Sequence, residues 1–131
     1  MKVIIDTHTF LWFIEGDSRL SATAKQIITE EENTVFLSIA SIWEIAIKVS
    51  LGKLTTPPTS LPFVRQIDNI LWENSISLLP ITLEHLDKIT KLPFHHRDPF
   101  DRLLIAQSIV EDLPLVSVDQ IVDAYGANRI W

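Results

Sequence analysis

A chain of 131 residues that is 47% apolar is sized for one domain around one core, spanning residues 1–131, and its composition excludes a disordered protein. The formal charge of −6 excludes a protein that wraps duplex nucleic acid with a broad basic face, so any contact with nucleic acid must be local. The absence of cysteine excludes disulfides, zinc–thiolate centres and thiol catalysis.

Lys2 to Ile5 reads as a short buried strand ending in a polar Asp-Thr-His-Thr turn, and Thr9 to Glu15 reads as a helix. Gly16 to Ser18 is a loop. Ser21 suits the cap of a helix running to about Glu31. Val35 to Ser38 resembles a second strand. Ser41 then opens a strongly apolar helix, with Ile42, Ile45, Ala46 and Val49 at helical spacing, that Gly52 closes. Thr55-Thr56-Pro57-Pro58 reads as a rigid linker. It precedes a helix from about Leu61 to Trp72, with Pro62 in the first turn.

Ile76 to Leu79 gives a third strand, and Thr82 caps a helix to Lys91 with Leu83, Leu86 and Ile89 on one face. Asp98 and Pro99 suit the cap and first position of a long helix to about Glu111. Leu115 to Val118 is a fourth strand, Gln120 to Tyr125 a short helix ending near Gly126, and Asn128 to Trp131 a fifth strand. Short apolar strands alternating with helices predict an α/β fold, a parallel sheet covered on both faces. No apolar run approaches the ~20 residues that a bilayer requires, and Met1 to Asp6 lacks the apolar segment of a secretory signal. Both facts predict a cytoplasmic protein without membrane association.

Four acids fall where such a sheet places chemistry. Asp6 follows the first strand and Asp119 the fourth, and open α/β sheets bind ligands at the carboxyl ends of strands. Glu44 lies among Ile42, Trp43, Ile45, Ala46 and Ile47, where a buried charge needs a cation or donors. Asp101 lies in the first turn of the Asp98 helix. Each has a structural reading beside the functional one: Asp119 as a turn residue, Asp98 and Asp101 as a cap and a dipole-favoured acid worth roughly 0.3–1 kcal/mol each. Gathered together, they would form a pocket whose repulsion a hard divalent cation relieves. Mg2+ or Mn2+ suits an all-oxygen site, where it orients water and stabilises charge during phosphodiester hydrolysis.

Asp6-Thr7-His8-Thr9-Phe10-Leu11-Trp12, Ser41-Ile42-Trp43-Glu44-Ile45-Ala46-Ile47-Lys48 with Gly52-Lys53-Leu54, and His96-Arg97-Asp98-Pro99-Phe100-Asp101-Arg102-Leu103-Leu104-Ile105-Ala106-Gln107 together resemble PIN-domain proteins of the VapC toxin type. Leu115-Val116-Ser117-Val118-Asp119 with Tyr125-Gly126 looks like that family's last acid and following tyrosine, although Ser117 stands where Thr is frequent. The blocks occur in order and span nearly the whole chain. The resemblance implies a three-layer α/β/α sandwich with a mostly parallel sheet of four or five strands. It also implies a Mg2+- or Mn2+-dependent endoribonuclease of a toxin–antitoxin pair, dimeric and silenced by a small antitoxin.

The family's acids carry over onto Asp6, Glu44, Asp101 and Asp119 as catalytic and metal-binding residues. Asp98 and Asp101 stand three apart, so either can reach a cation; Asp101 is preferred as the ligand, with Asp98 as its support or the helix cap. Thr7 and Ser117 are candidates to hold a ligating carboxylate or a metal water by hydrogen bond. His95, His96, Arg97, Arg102, Lys48 and Lys53 are candidates for substrate phosphate, each weighed against an ordinary solvated surface. His8 has no second histidine at ligand spacing, which argues against a metal role. Trp12, Trp43 and Trp72 are expected in the core or a dimer interface rather than against a base.

Two rivals differ from the nuclease in class. A receiver-like phosphotransfer domain also uses an acidic Mg2+ pocket, but needs a Lys after a late strand. A PIN-fold binding module would retain the acids without cleavage.

Overall fold

The computed structural model describes residues 1–54 and 61–131, so the linker expected at Thr55 to Pro58 lies outside the described residues. Its central strand is β1 (Lys2–Ile5), which is parallel both to β2 (Thr34–Ser38) and to β4 (Leu115–Val116). β3 (Ile76–Leu79) extends the sheet beyond β2, and β5 (Arg129–Ile130) extends it beyond β4. The order is β3-β2-β1-β4-β5, and every pairing is parallel.

Helices cover both faces, because successive residues of a strand point in opposite directions. On one face Val3 and Ile5 pack with Phe10 of α1 (Thr7–Glu15), Ile27 of α2 (Ala22–Thr29), Ile45 of α3 (Ile39–Ser50) and Ile67 of α4 (Phe63–Glu73). On the other, Ile4 packs with Leu92 after α5 (Leu83–Lys91), with Leu104 and Ile105 of α6 (Pro99–Glu111), and with Val122 of a 3-10 helix (Gln120–Tyr125). The result is the expected α/β/α sandwich. Ile4 and Ile5 are fully buried, a gain of about 1.5–3 kcal/mol apiece.

This topology fixes where ligands can bind. From β1 the chain builds outward through β2 and β3, then returns past α5 and α6 to lay β4 on the opposite side of β1. The order therefore reverses between β1 and β4, and open α/β sheets bind ligands beyond the carboxyl ends of strands at such a switch. Asp6 leaves one of those strands, and Ser117 to Asp119 leave the other.

Several boundaries differ from the sequence expectation. α1 begins at Thr7 rather than Thr9, because the Asp6 carboxylate caps it by accepting the Thr9 N–H at 2.8 Å. α3 begins at Ile39 under a Ser38 cap, which places Ser41 buried within its first turn. β4 stops at Val116: Ser117 still donates to the Ile130 carbonyl, but its hydroxyl then accepts the Asp119 amide and turns the chain. The last turn ends at Gly126, whose φ of 72° suits glycine.

α5 meets the expected face only in part. Ile89 packs inward as expected, but Leu83 is 84% and Leu86 44% exposed, and their place is taken by fully buried His85, with Leu92 just past the helix. The cause is polar: His85 closes a capping box with Thr82 and reaches Glu111 at 2.7 Å. Trp72, expected in a core or interface, is 86% exposed. Trp12 packs edge-on against Trp131 beneath the Arg19 guanidinium.

Candidate metal centre

The first acid is set by the junction of β1 and α1. Asp6 is buried, its amide bonds the Val116 carbonyl of β4, and one carboxylate oxygen is used in the α1 cap. Thr9 reinforces the junction by donating its hydroxyl to the Val116 carbonyl at 3.1 Å. Thr7 donates to Ser41 Oγ at 2.9 Å, tying α1 to α3 three residues before Glu44. Its hydrogen bond thus goes to a hydroxyl, not to a carboxylate.

Glu44 is half-buried and pairs with Lys48 one turn along α3, at 3.4 Å. Asp98 caps α6, its Oδ1 accepting the amides of Phe100 and Asp101 at 2.8 and 3.2 Å. Asp101 lies one turn in, its Oδ2 3.2 Å from His96 Nε2. Burial pushes its carboxyl up to about 7, the negative charge of Asp98 adds to this, and Asp6 and Glu44 push in the same direction against an opposing contribution from His96. Asp6, Glu44, Asp98 and Asp101 thus share one electrostatic neighbourhood, although they come from three separate stretches of chain.

Asp119 joins them through a histidine. His96 Nε2 lies 2.8 Å from Asp119 Oδ2 and 3.2 Å from Asp101 Oδ2. One ligand atom from each of His96, Asp101 and Asp119 falls within 4.8 Å of the others, the spacing of groups that can share a cation. Asp119 also caps the 3-10 helix, Oδ1 accepting the Ile121 amide at 3.0 Å, while Ser117 Oγ holds the Asp119 amide at 3.1 Å. Ser117 therefore fixes this acid through its backbone.

The basic residues divide. Arg97 is exposed and makes no ion pair among the described residues, whereas Arg102 is 5% exposed. Arg102 gives its donors to the carbonyls of Ile89, Leu92 and Pro93, with a longer contact to that of His96, and lies over the Phe94 ring. Its expected role at substrate phosphate is not met by this geometry; it clamps the connection between α5 and α6. Tyr125 completes the clamp, its hydroxyl accepting the His96 amide at 2.7 Å. Neither the bridging place of His96 nor this clamp was legible in the sequence. The one signal was an arginine four residues after a capping aspartate, on a helix face that must be buried. Trp43, expected in a core or interface, is 58% exposed and stands edge-on to Phe100, each aromatic immediately preceding a site acid.

The donor set fits a hard divalent cation: burial and the charges of Asp98, Asp6 and Glu44 lift Asp101 toward neutrality, Asp101 and Asp119 stand within sharing distance beside His96 while Asp6, Glu44 and Asp98 lie outside that close group, and the sequence has no cysteine. Among the described residues no helix is long and apolar enough to cross a membrane.

Comparison with known proteins agrees with this architecture. No curated protein sequence matches the chain. Among solved structures it is similar to VapBC2 from Rickettsia felis bound to a DNA fragment from their promoter, with a TM-score of 0.70 at 12% identity, covering 99% of this chain and 98% of that one. It is also similar to FitAcB from Neisseria gonorrhoeae, with a TM-score of 0.64 at 16% identity, covering 100% and 97%. A PIN domain family model matches residues 3–128, and the chain therefore belongs to the PIN-domain family.

Proposed function

We propose that this protein is a Mg2+- or Mn2+-dependent endoribonuclease, the toxin of a toxin–antitoxin pair. The observation that carries the reading is the gathering of His96, Asp101 and Asp119 at the switch in strand order, each with a ligand atom within 4.8 Å of the others, where the charges of Asp98, Asp6 and Glu44 also bear on Asp101. Asp6, Glu44, Asp101 and Asp119 would hold the cation, with Asp98 supporting Asp101 through the shared cap. The cation supplies charge neutralisation at the scissile phosphate and a more acidic water. The chain's own residues align the carboxylates, and exposed Arg97 offers a guanidinium to the RNA backbone. Trp43 offers a face on which an unpaired base can stack, which favours single-stranded RNA.

The phosphotransfer alternative lacks its lysine: the residues after β3 are Pro80-Ile81-Thr82, and those after β4 are Ser117-Val118-Asp119. The proposed partners are an RNA substrate, a small cognate antitoxin protein and a second copy of the chain, in the cytoplasm. Purified protein is expected to cleave RNA with Mg2+ or Mn2+ and to stop when the metal is chelated. Co-expression with the product of a neighbouring small gene is expected to relieve toxicity. Metal binding without cleavage of any RNA in a broad panel would leave only the binding-module reading.

A further inference from the structure

We propose that His96 is a positioning residue that presents Nε2–H to Asp119 and so fixes this carboxylate for a divalent cation, without ligating the cation itself. The inference rests on the metal-centre reading above and concerns a residue outside the acid set.

It follows from the hydrogen bonds around the ring. A neutral imidazole has one donor nitrogen and one acceptor nitrogen. His96 Nδ1 faces the Asp98 backbone N–H at 3.2 Å, so Nδ1 is the acceptor and the proton sits on Nε2. That proton points at Asp119 Oδ2 and, more distantly, at Asp101 Oδ2. Ligation of a cation by Nε2 would require the proton to move to Nδ1. Two N–H groups would then confront each other across 3.2 Å, and an amide would lose its acceptor in a half-buried loop.

The loop has little freedom to relieve that conflict. The His96 amide donates to Tyr125 Oη, Arg102 reaches the Pro93 and His96 carbonyls, and the Asp98 carbonyl accepts the Arg102 amide at 3.0 Å. The clamp made by Arg102 and Tyr125 thus sets the ring, and the ring sets the acid. With Oδ1 taken by the Ile121 amide and Oδ2 taken by His96, Asp119 is held at both oxygens, each keeping a further lone pair. Hydrogen bonds of this kind to a ligating carboxylate typically govern metal affinity by 10–100-fold.

The test measures Mn2+ binding to the whole chain by calorimetry, without RNA, for wild type and three variants. His96→Ala is expected to bind about 10–100-fold more weakly. His96→Gln carries an amide N–H out to the level of Nε2 and is expected to restore most of the affinity. His96→Asn stops at the level of Nδ1 and is expected to stay as weak as alanine. Pulsed electron paramagnetic resonance of Mn2+-loaded wild type, which needs no variant, is expected to show no directly bound imidazole nitrogen. A bound nitrogen, wild-type affinity in His96→Ala, or no recovery in His96→Gln each overturns the proposal. A wild-type protein that binds no Mn2+ instead overturns the metal centre, and this inference with it.

Discussion

Asp101→Asn should stabilise the metal-free protein while destroying its activity. The Asp101 carboxyl is lifted from 3.8 to about 7, a difference of roughly three pH units. At about 1.36 kcal/mol per unit the ceiling is ~4 kcal/mol. The side chain is 35% exposed, so solvent screening lowers the expected effect to about 1–2 kcal/mol. The sign follows from linkage. Between pH 4 and 7 the folded protein holds a proton on Asp101 that the unfolded chain has released, so wild-type stability falls as pH rises through that window. Above pH 7 the full penalty is present.

Asparagine carries no charge and can still accept from His96 Nε2. The variant should therefore lose this part of the pH dependence and exceed wild type at pH 8. The assay is urea denaturation with a chelator present, at pH 5 and pH 8, comparing the difference between wild type and variant so that other titrating groups cancel. Added Mg2+ should raise the wild type and leave the variant unmoved. A variant less stable than wild type at pH 8, or one whose difference from wild type is the same at both pH values, would refute the electrostatic account.

Asp6→Asn should abolish RNA cleavage yet fold as wild type, since asparagine caps helices as well as aspartate does. Asp6→Ala should lose activity and also ~1 kcal/mol of stability, which circular dichroism with denaturant will separate. Arg102→Met should lower stability by roughly 1–3 kcal/mol by leaving buried carbonyls without donors, a loss read from the denaturation midpoint. Trp43→Ala should raise KM for single-stranded RNA by roughly 1–3 kcal/mol equivalent with kcat little changed, read from initial rates.

The sheet was legible because parallel strands buried on both faces are written as short apolar runs, and Val3-Ile4-Ile5 or Val35 to Leu37 leave little else to choose. The caps at Ser21, Thr82 and Asp98 were legible for the same reason: their chemistry is local. Interactions between distant segments were not. The inward turn of His85 depends on Glu111, and the burial of Arg102 depends on carbonyls of residues 89 to 96. A charged side chain gives no sign in sequence of whether water or backbone will satisfy it. His96 is the same case: its ring meets an acid 23 positions away.

The sequence poses each aspartate as either a helix cap or a site residue, and the geometry removes the opposition. Asp6 Oδ1 accepts the Thr9 amide, Asp98 Oδ1 accepts the amides of Phe100 and Asp101, and Asp119 Oδ1 accepts the Ile121 amide. Asp6 Oδ2 and Asp98 Oδ2 take no hydrogen bond among the described residues, and Asp119 Oδ2 is held by His96. Capping therefore fixes the rotamer of each side chain through one oxygen and leaves the other outside the cap. Helix starts are rigid, and an acid anchored to one needs no separate scaffold to be aimed. The cost falls on Asp101, where burial and the neighbouring anions together raise the carboxyl and where, among the described residues, the carboxylate accepts no backbone amide.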